Sequence, residues 1–406
     1  MSEASEAFPA RRRQGRIRKQ SPIGLLDSIS ASCLHGNDYY IRSLLRNVDL
    51  DPEPDLLTSL TTEFLASRIS RDGSAVAVGT GSGTLCVFRP GDCAVLSQTR
   101  ICAMPVRDVC WVGDNLIAGG TGTGWIRLVE GNNNCIESSI MVSEVALVRS
   151  LSALPESQPN IIAWGCMDGR FGLADVRTQT KVAENTSRPH RLPGSKQAAV
   201  SSIVLTNSTR FGSNLVLTAG ATDGTVKIWD SRNLSQCLGR IDRPLKNSFK
   251  GQGIVSLDLS SDNSQVLIAR RGGTVSVQHI DSVLIKQPGL GGREYVLGSS
   301  TLDTVYATGR FSGDGSAIAL SGDQGCVVFD PFRPEEALNL YTSSTASSCC
   351  WDKDGSVIAT TIDGSLYRWN KSQKMVFRST SSNPARSTSP FSVQDVTDVK
   401  RRRVQC

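Results

Sequence analysis

Two arginines stand out because each follows an aspartate by two positions. Asp175 precedes Arg177, and Asp230 precedes Arg232. Arg232 closes the stretch 217–232, which runs from small residues through Asp-Gly to an alternating Val-Lys-Ile segment and then Trp-Asp-Ser-Arg. A guanidinium is a planar, permanently charged fork that hydrogen-bonds carboxylates and carbonyls in pairs. The spacing predicts that each aspartate anchors a local turn while its arginine reaches toward a binding partner.

The sequence offers little for covalent or metal chemistry. The glycine runs 79–83 and 119–124 resemble nucleotide loops, but no helical pattern follows them, so they are interpreted as tight turns. The three histidines, His35, His190 and His279, are dispersed. The twelve cysteines show no Cys-x-x-Cys spacing and are interpreted as small buried side chains in a reducing compartment. We therefore expect a binding protein, not an enzyme, with no cofactor and no metal.

A repeated pattern supplies the elements that must position the arginines. Each copy has a small or apolar strand, a glycine-bearing turn and a strand of period two, and no helical periodicity interrupts residues 60–370. Seven copies end at positions 88, 129, 174, 229, 278, 329 and 369. Their spacing approaches the roughly 40–45 residues of a WD repeat, which forms one four-stranded blade. The pattern predicts an all-β, seven-bladed WD40 β-propeller.

The repeats have lost much of their usual polar signature. Only Trp229 and Trp369 keep tryptophan at the terminal position. With three histidines in the chain, the buried Asp-His-Ser/Thr-Trp relay of WD repeats cannot recur in every blade. We therefore expect the ring to depend mainly on apolar packing and strand ladders.

The net charge of +6 lies in the ends of the chain. Residues 1–22 carry +4 and residues 370–406 carry +6, which leaves −4 for the residues between them. Both ends are rich in Ser, Pro and charge, and we expect them to be disordered basic tails. Their basic clusters are interpreted as nuclear-import signals and place the protein in the nucleus. The residues concerned are Arg11, Arg12, Arg13, Arg16, Arg18, Lys19, Lys400, Arg401, Arg402 and Arg403.

These features divide the chain into four parts. Residues 1–22 are a basic tail, 23–58 an extension that packs on or closes the propeller, 59–372 the propeller, and 373–406 a second basic tail. Either part of 23–58 or the segment 375–380 could supply the outer strand of the last blade. A ring closed by its own terminus avoids an exposed sheet edge. No run of 18 apolar residues occurs, so no membrane association is expected.

The stretch 217–232 is similar to the motif of substrate receptors for cullin-4 ubiquitin ligases. More narrowly, the chain resembles the denticleless family over residues 20–372, including 21–26 and 40–45 ahead of the first blade. Ala174 stands where the family's third blade has an aromatic residue, and no clamp-binding motif of the form Gln-x-x-aliphatic-x-x-aromatic-aromatic is present.

The resemblance implies docking on the adaptor called damaged-DNA-binding protein 1, through Asp175, Arg177, Trp229, Asp230 and Arg232. It also implies that replication or cell-cycle proteins are presented for ubiquitination, some of them on the DNA-bound clamp PCNA. An acidic pocket on the other face would complement the basic residue of such substrates.

Three other interpretations compete with the ligase receptor. The first is a nuclear WD40 scaffold in chromatin or ribosome assembly. The second is an activator of the anaphase-promoting complex, but its Asp-Arg-Phe-Ile-Pro-type box and Ile-Arg terminus are missing. The third is a nucleic-acid binder acting through the tails, whose affinity would fall steeply with salt.

Overall fold

The computed structural model describes residues 50–51, 53–92, 94–131, 135–154, 158–195, 198–208, 213–242, 253–285, 293–296 and 307–371. These residues form seven four-stranded sheets, in which every pairing is antiparallel. The predicted seven-bladed β-propeller is confirmed. The two predicted tails, with their basic clusters, lie outside the described residues.

Each blade has an innermost, a second, a third and an outer strand. The innermost strands are β2 (Phe64–Ile69), β6 (Val106–Val112), β10 (Val148–Leu154), β14 (Val200–Ser208), β18 (Ile254–Leu259), β22 (Gly309–Phe311) and β26 (Ala346–Trp351). The second strands are β3 (Val76–Thr80), β7 (Leu116–Thr121), β11 (Gln158–Cys166), β15 (Ser213–Gly220), β19 (Gln265–Arg270), β23 (Ile318–Gly322) and β27 (Val357–Thr361).

The third strands carry the end of each repeat. They are β4 (Thr84–Phe88), β8 (Trp125–Glu130), β12 (Phe171–Asp175), β16 (Val226–Asp230), β20 (Thr274–His279), β24 (Gly325–Asp330) and β28 (Ser365–Trp369). The outer strands are β5 (Val95–Arg100), β9 (Ile136–Met141), β13 (Thr180–Asn185), β17 (Asn233–Ile241), β21 (Arg293–Val296), β25 (Arg333–Tyr341) and β1 (Asp55–Ser59). Within the described residues the one helix is α1 (Ile280–Ile285), between β20 and β21.

The predicted repeat alignment matches the strands. All seven terminal positions lie in third strands, each opposite an apolar residue of the second strand, as in the pairs Val76–Phe88 and Val216–Trp229. Six of the seven are buried, and Gln278 is half-buried. The glycine runs likened to nucleotide loops are turns between second and third strands, where Gly83 and Gly124 adopt φ of 84° and 80°. That left-handed backbone favours glycine because it has no Cβ.

The N-terminal side of the domain closes the ring. β1 pairs antiparallel with β28, with Asp55 opposite Arg368, and Leu50 forms a further bridge with Lys371. The last blade therefore combines both ends of the described chain, and its outer edge begins four residues before the expected boundary at residue 59. The competing segment 375–380 lies outside the described residues.

A ring of polar contacts ties the innermost strands to one another. In five junctions a side-chain oxygen of one blade accepts a backbone N–H of the next: Asp108 from Leu151, Ser150 from Ile203, Ser202 from Leu257, Ser256 from Gly309, and Thr308 from Cys349, at 2.9–3.3 Å. We call these five acceptors the inner ring. From the sequence we expected the ring to depend mainly on apolar packing and strand ladders. The inner ring was not predicted, because its residues look like ordinary polar residues of strands.

Candidate functional site

Asp175 and Arg177 form a compact turn after β12. The Asp175 carboxylate accepts the backbone N–H of Arg177 at 2.8 Å and its guanidinium at 3.3 Å. The aspartate side chain is 13% exposed, whereas the arginine side chain is 69% exposed. The aspartate is therefore the anchor and the arginine the exposed group, as the spacing predicted.

Asp230 and Arg232 repeat this arrangement in the neighbouring blade with better geometry. The Asp230 carboxylate accepts hydrogen bonds from the Arg232 backbone N–H at 2.9 Å, from its Nε at 3.0 Å and from its Nη2 at 2.6 Å. Two of these bonds hold the guanidinium. The hydrogen bond from the Arg232 side chain lowers the pKa of Asp230, against a smaller opposing effect of desolvation. The Arg232 side chain is 70% exposed.

A third blade separates the role of the aspartate from that of the arginine. In β24, Asp330 accepts the backbone N–H two residues on, at 2.7 Å, but the residue there is Phe332. The same turn thus forms with or without arginine, because an aspartate side chain hydrogen-bonding its own backbone is enough to build it. Folding alone does not require Arg177 or Arg232.

Trp229 supports the site from inside the blade. It is 3% exposed and packs on Phe171, with ring centroids 5.0 Å apart. Its indole N–H donates to the Thr218 hydroxyl at 2.9 Å, and that oxygen lies 2.9 Å from His190 Nε2. Of the five residues predicted to bind the adaptor, Trp229 is therefore not a contact residue, since it holds β16 in place beneath Asp230.

His190 completes a buried relay that the sequence pattern did not predict. Because the indole can only donate, the Thr218 hydroxyl oxygen accepts the indole N–H, and the same hydroxyl forms a hydrogen bond with His190 Nε2. His190 Nδ1 lies 3.0 Å from Asp223. Desolvation would raise the pKa of Asp223, but hydrogen bonds from His190 and Thr225 hold it below its usual value. The sequence feature that could have indicated this relay is a histidine in the polar insert ahead of the Thr-Ala-Gly-Ala-Thr-Asp stretch.

A known family model matches the part of the chain that contains this relay. Residues 187–230, which contain all four members of the relay, match the family described as WD domain, G-beta repeat. The chain carries a WD40 repeat domain. No curated protein sequence matches the chain significantly. A WD40 propeller is a platform for protein interactions, so the arginine turns of this domain are candidate contact points.

A second polar cluster lines the central channel. Arg68, Arg107, Arg149 and Arg310 border it, together with Asp108 of the inner ring. A further carboxylate, Asp258, lies 3.9 Å from Arg310, and desolvation raises its pKa to about 7. Among the described residues at the channel, arginines outnumber carboxylates, and the acidic pocket that the resemblance implies stays a prediction without assigned residues.

The described part of the chain contains no helix with the length and apolar character needed to cross a membrane. Within the same residues, no three side chains of His, Cys, Asp or Glu gather to hold a metal ion.

Proposed function

We propose that this protein is a substrate receptor of a cullin-4 RING ubiquitin ligase. It docks on the adaptor damaged-DNA-binding protein 1 through Arg177 and Arg232, and it presents replication or cell-cycle proteins in the nucleus. The observation that carries the proposal is the repetition of one exposed, anchored arginine in two neighbouring blades. Ubiquitin transfer takes place on the ligase's RING partner.

The geometry suits an interface anchor. Asp230 engages two of the five N–H donors of Arg232, which leaves three for a partner. The grip also restricts the side chain before binding, and pre-organisation of this kind reduces the entropy lost on association. Arginine is among the residue types that dominate binding energy at interfaces. Arg177 is held by a single, longer side-chain contact, so we assign it the smaller share.

Co-precipitation with the adaptor tests the proposal. Arg232→Ala should weaken adaptor binding more than Arg177→Ala does, and the double variant should lose the ligase while still binding its substrate. A loss of roughly 2 kcal/mol or more is typical of a desolvated interface arginine.

Arg240→Ala is the matched control. Arg240 is 55% exposed and is also paired with an aspartate, Asp242, but it lies at the opposite end of the same blade. The Arg240→Ala variant should bind the adaptor as well as the unmodified protein does. If the double variant binds the adaptor normally and melts normally, the ligase proposal fails. A WD40 scaffold for chromatin or ribosome assembly then remains.

A further inference from the structure

The turn that carries Arg232 is also held from the neighbouring blade. We call residues 230–234 the Arg232 turn. Asn185, the last residue of β13, donates a hydrogen bond from Nδ2 to the Leu234 carbonyl at 2.6 Å. The Leu234 side chain is itself buried, in the apolar core that the two blades share. Arg232 therefore lies between two fixed points of its turn, the Asp230 carboxylate on one side and Leu234 on the other.

The partners of Asn185 determine how its amide is oriented. The Ser187 backbone N–H at 2.9 Å and the Ser187 hydroxyl at 2.7 Å both donate to Oδ1. A backbone N–H can only donate, so the atom that it meets is the amide oxygen, and the NH2 group faces the Leu234 carbonyl. Asn185 is only 6% exposed, so water cannot readily replace its bond to Leu234. Loss of the Asn185 side-chain NH2 would therefore release this end of the Arg232 turn.

Similar contacts occur at two other junctions between blades, with different chemistry. Arg368 of β28 donates to the carbonyl of Pro90, in the turn that follows β4. The Arg293 guanidinium of β21 lies 4.6 Å from the ring centroid of Phe332, in the turn that follows β24. In each case a side chain of one blade holds the turn between the third and outer strands of the next. Blades radiate from one axis and diverge outward, so such a contact constrains outer turns that are otherwise less connected than the innermost strands.

The outer strand β13 connects the two arginine turns. Its first residue, Thr180, lies opposite Asp175, and its last residue is Asn185. The backbone of β13 therefore runs from the turn that carries Arg177 to the contact that holds the Arg232 turn. A partner that binds both arginines needs them at a fixed separation, because any freedom between them must be lost on association.

We propose that Asn185 is a positioning residue for adaptor docking. Its bond to Leu234 fixes the Arg232 turn relative to Arg177, so that both guanidinium groups meet the adaptor together. Asn185 is too buried to contact the adaptor and acts only through the turn. This inference deepens the proposed receptor role and rests on it.

Hydrogen exchange of the free full-length protein, measured by mass spectrometry, tests the positioning without the adaptor. Asn185→Asp keeps the size of the side chain and an acceptor for Ser187, but it places a carboxylate oxygen against the Leu234 carbonyl. Backbone amides of residues 231–236 should exchange at least about fivefold faster, the ratio expected for one lost hydrogen bond. Ser187→Ala is the matched control, because it removes a bond to Asn185 and leaves the bond to Leu234. Exchange of residues 231–236 should be unchanged in this control.

Adaptor affinity tests the link between this contact and docking. Asn185→Asp should raise the Kd for the adaptor about fivefold. Asn185→Ala, which removes the donor without adding a charge, should act in the same direction. In the Arg232→Ala background, Asn185→Asp should cause no further loss, because the turn no longer carries the guanidinium that Asn185 positions. A general disturbance of the blade would instead add its own loss in that background.

Three results would overturn the proposal. Unchanged exchange of residues 231–236 in both Asn185 variants shows that the bond does not hold the turn. A further loss of affinity in the Arg232→Ala background shows that Asn185 acts on the blade in general. Faster exchange, together with no adaptor binding by the unmodified protein, means that the receptor role fails and the docking role of Asn185 fails with it.

Discussion

The buried relay beneath Arg232 predicts a large effect from a nearly isosteric change. Thr218 is fully buried, and its hydroxyl accepts the Trp229 indole N–H and faces His190 Nε2. Thr218→Val keeps the shape of the side chain and its preference for strands, but it removes the hydroxyl. Two buried polar groups, the indole N–H and the imidazole Nε2, then have no partner.

The expected cost follows from these two groups. Leaving a buried donor or acceptor unsatisfied costs about 1–3 kcal/mol, so Thr218→Val should lower the free energy of unfolding by about 2–6 kcal/mol. Thr206→Val is the matched control, because Thr206 is also fully buried and lies in the same blade. Its hydroxyl reaches only the carbonyls of Asn207 and Asn263, at 3.5 and 3.3 Å, so its removal leaves no buried donor unpaired. The control should lose no more than about 1 kcal/mol.

Chemical denaturation followed by circular dichroism measures both variants. The reasoning is refuted if the two lose equal stability, because the relay would then contribute no more than an ordinary buried hydroxyl. The Thr218→Val substitution should also affect the predicted adaptor-binding site. If Trp229 holds β16 in place, adaptor binding by Thr218→Val should weaken at temperatures where the variant is still folded.

Three further predictions concern other parts of the chain. Arg232→Lys should not restore the adaptor binding lost in the alanine variant, because an ammonium cannot reproduce the paired contacts of the fork; co-precipitation of the two side by side decides this. Asp258 has its pKa raised to about 7, so its ionisation opposes folding. Stability should fall as the pH rises from about 4 to 7, and Asp258→Asn should flatten this part of a melting-temperature profile; an unchanged slope contradicts the assignment. Deleting residues 11–19 and 400–403 together should move the protein to the cytoplasm in fluorescence images, and persistent nuclear signal would remove the import assignment.

The number and phase of the blades follow from the sequence because they depend on local chemistry. A glycine at positive φ, such as Gly224, must stand where a second strand turns into a third, and alternating apolar residues must follow it. Asp175 and Asp230 could be assigned to turns for the same reason, since each bonds a backbone N–H only two residues away. Features that depend only on residues close together in the sequence can be predicted without knowledge of the closed ring.

Other features exist only once the ring has closed. Nothing local pairs Asp55 with Arg368, because that contact depends on which free strand edge the N-terminal segment meets. The partners of His190 could not be predicted either, because Thr218 and Asp223 belong to a strand and a turn that come after a long polar insert. Taken one at a time in the sequence, the channel arginines look like the polar residues of strands in which polar and apolar residues alternate. Only the packing of seven innermost strands around one axis gathers them, since each blade contributes a single side chain at a given depth.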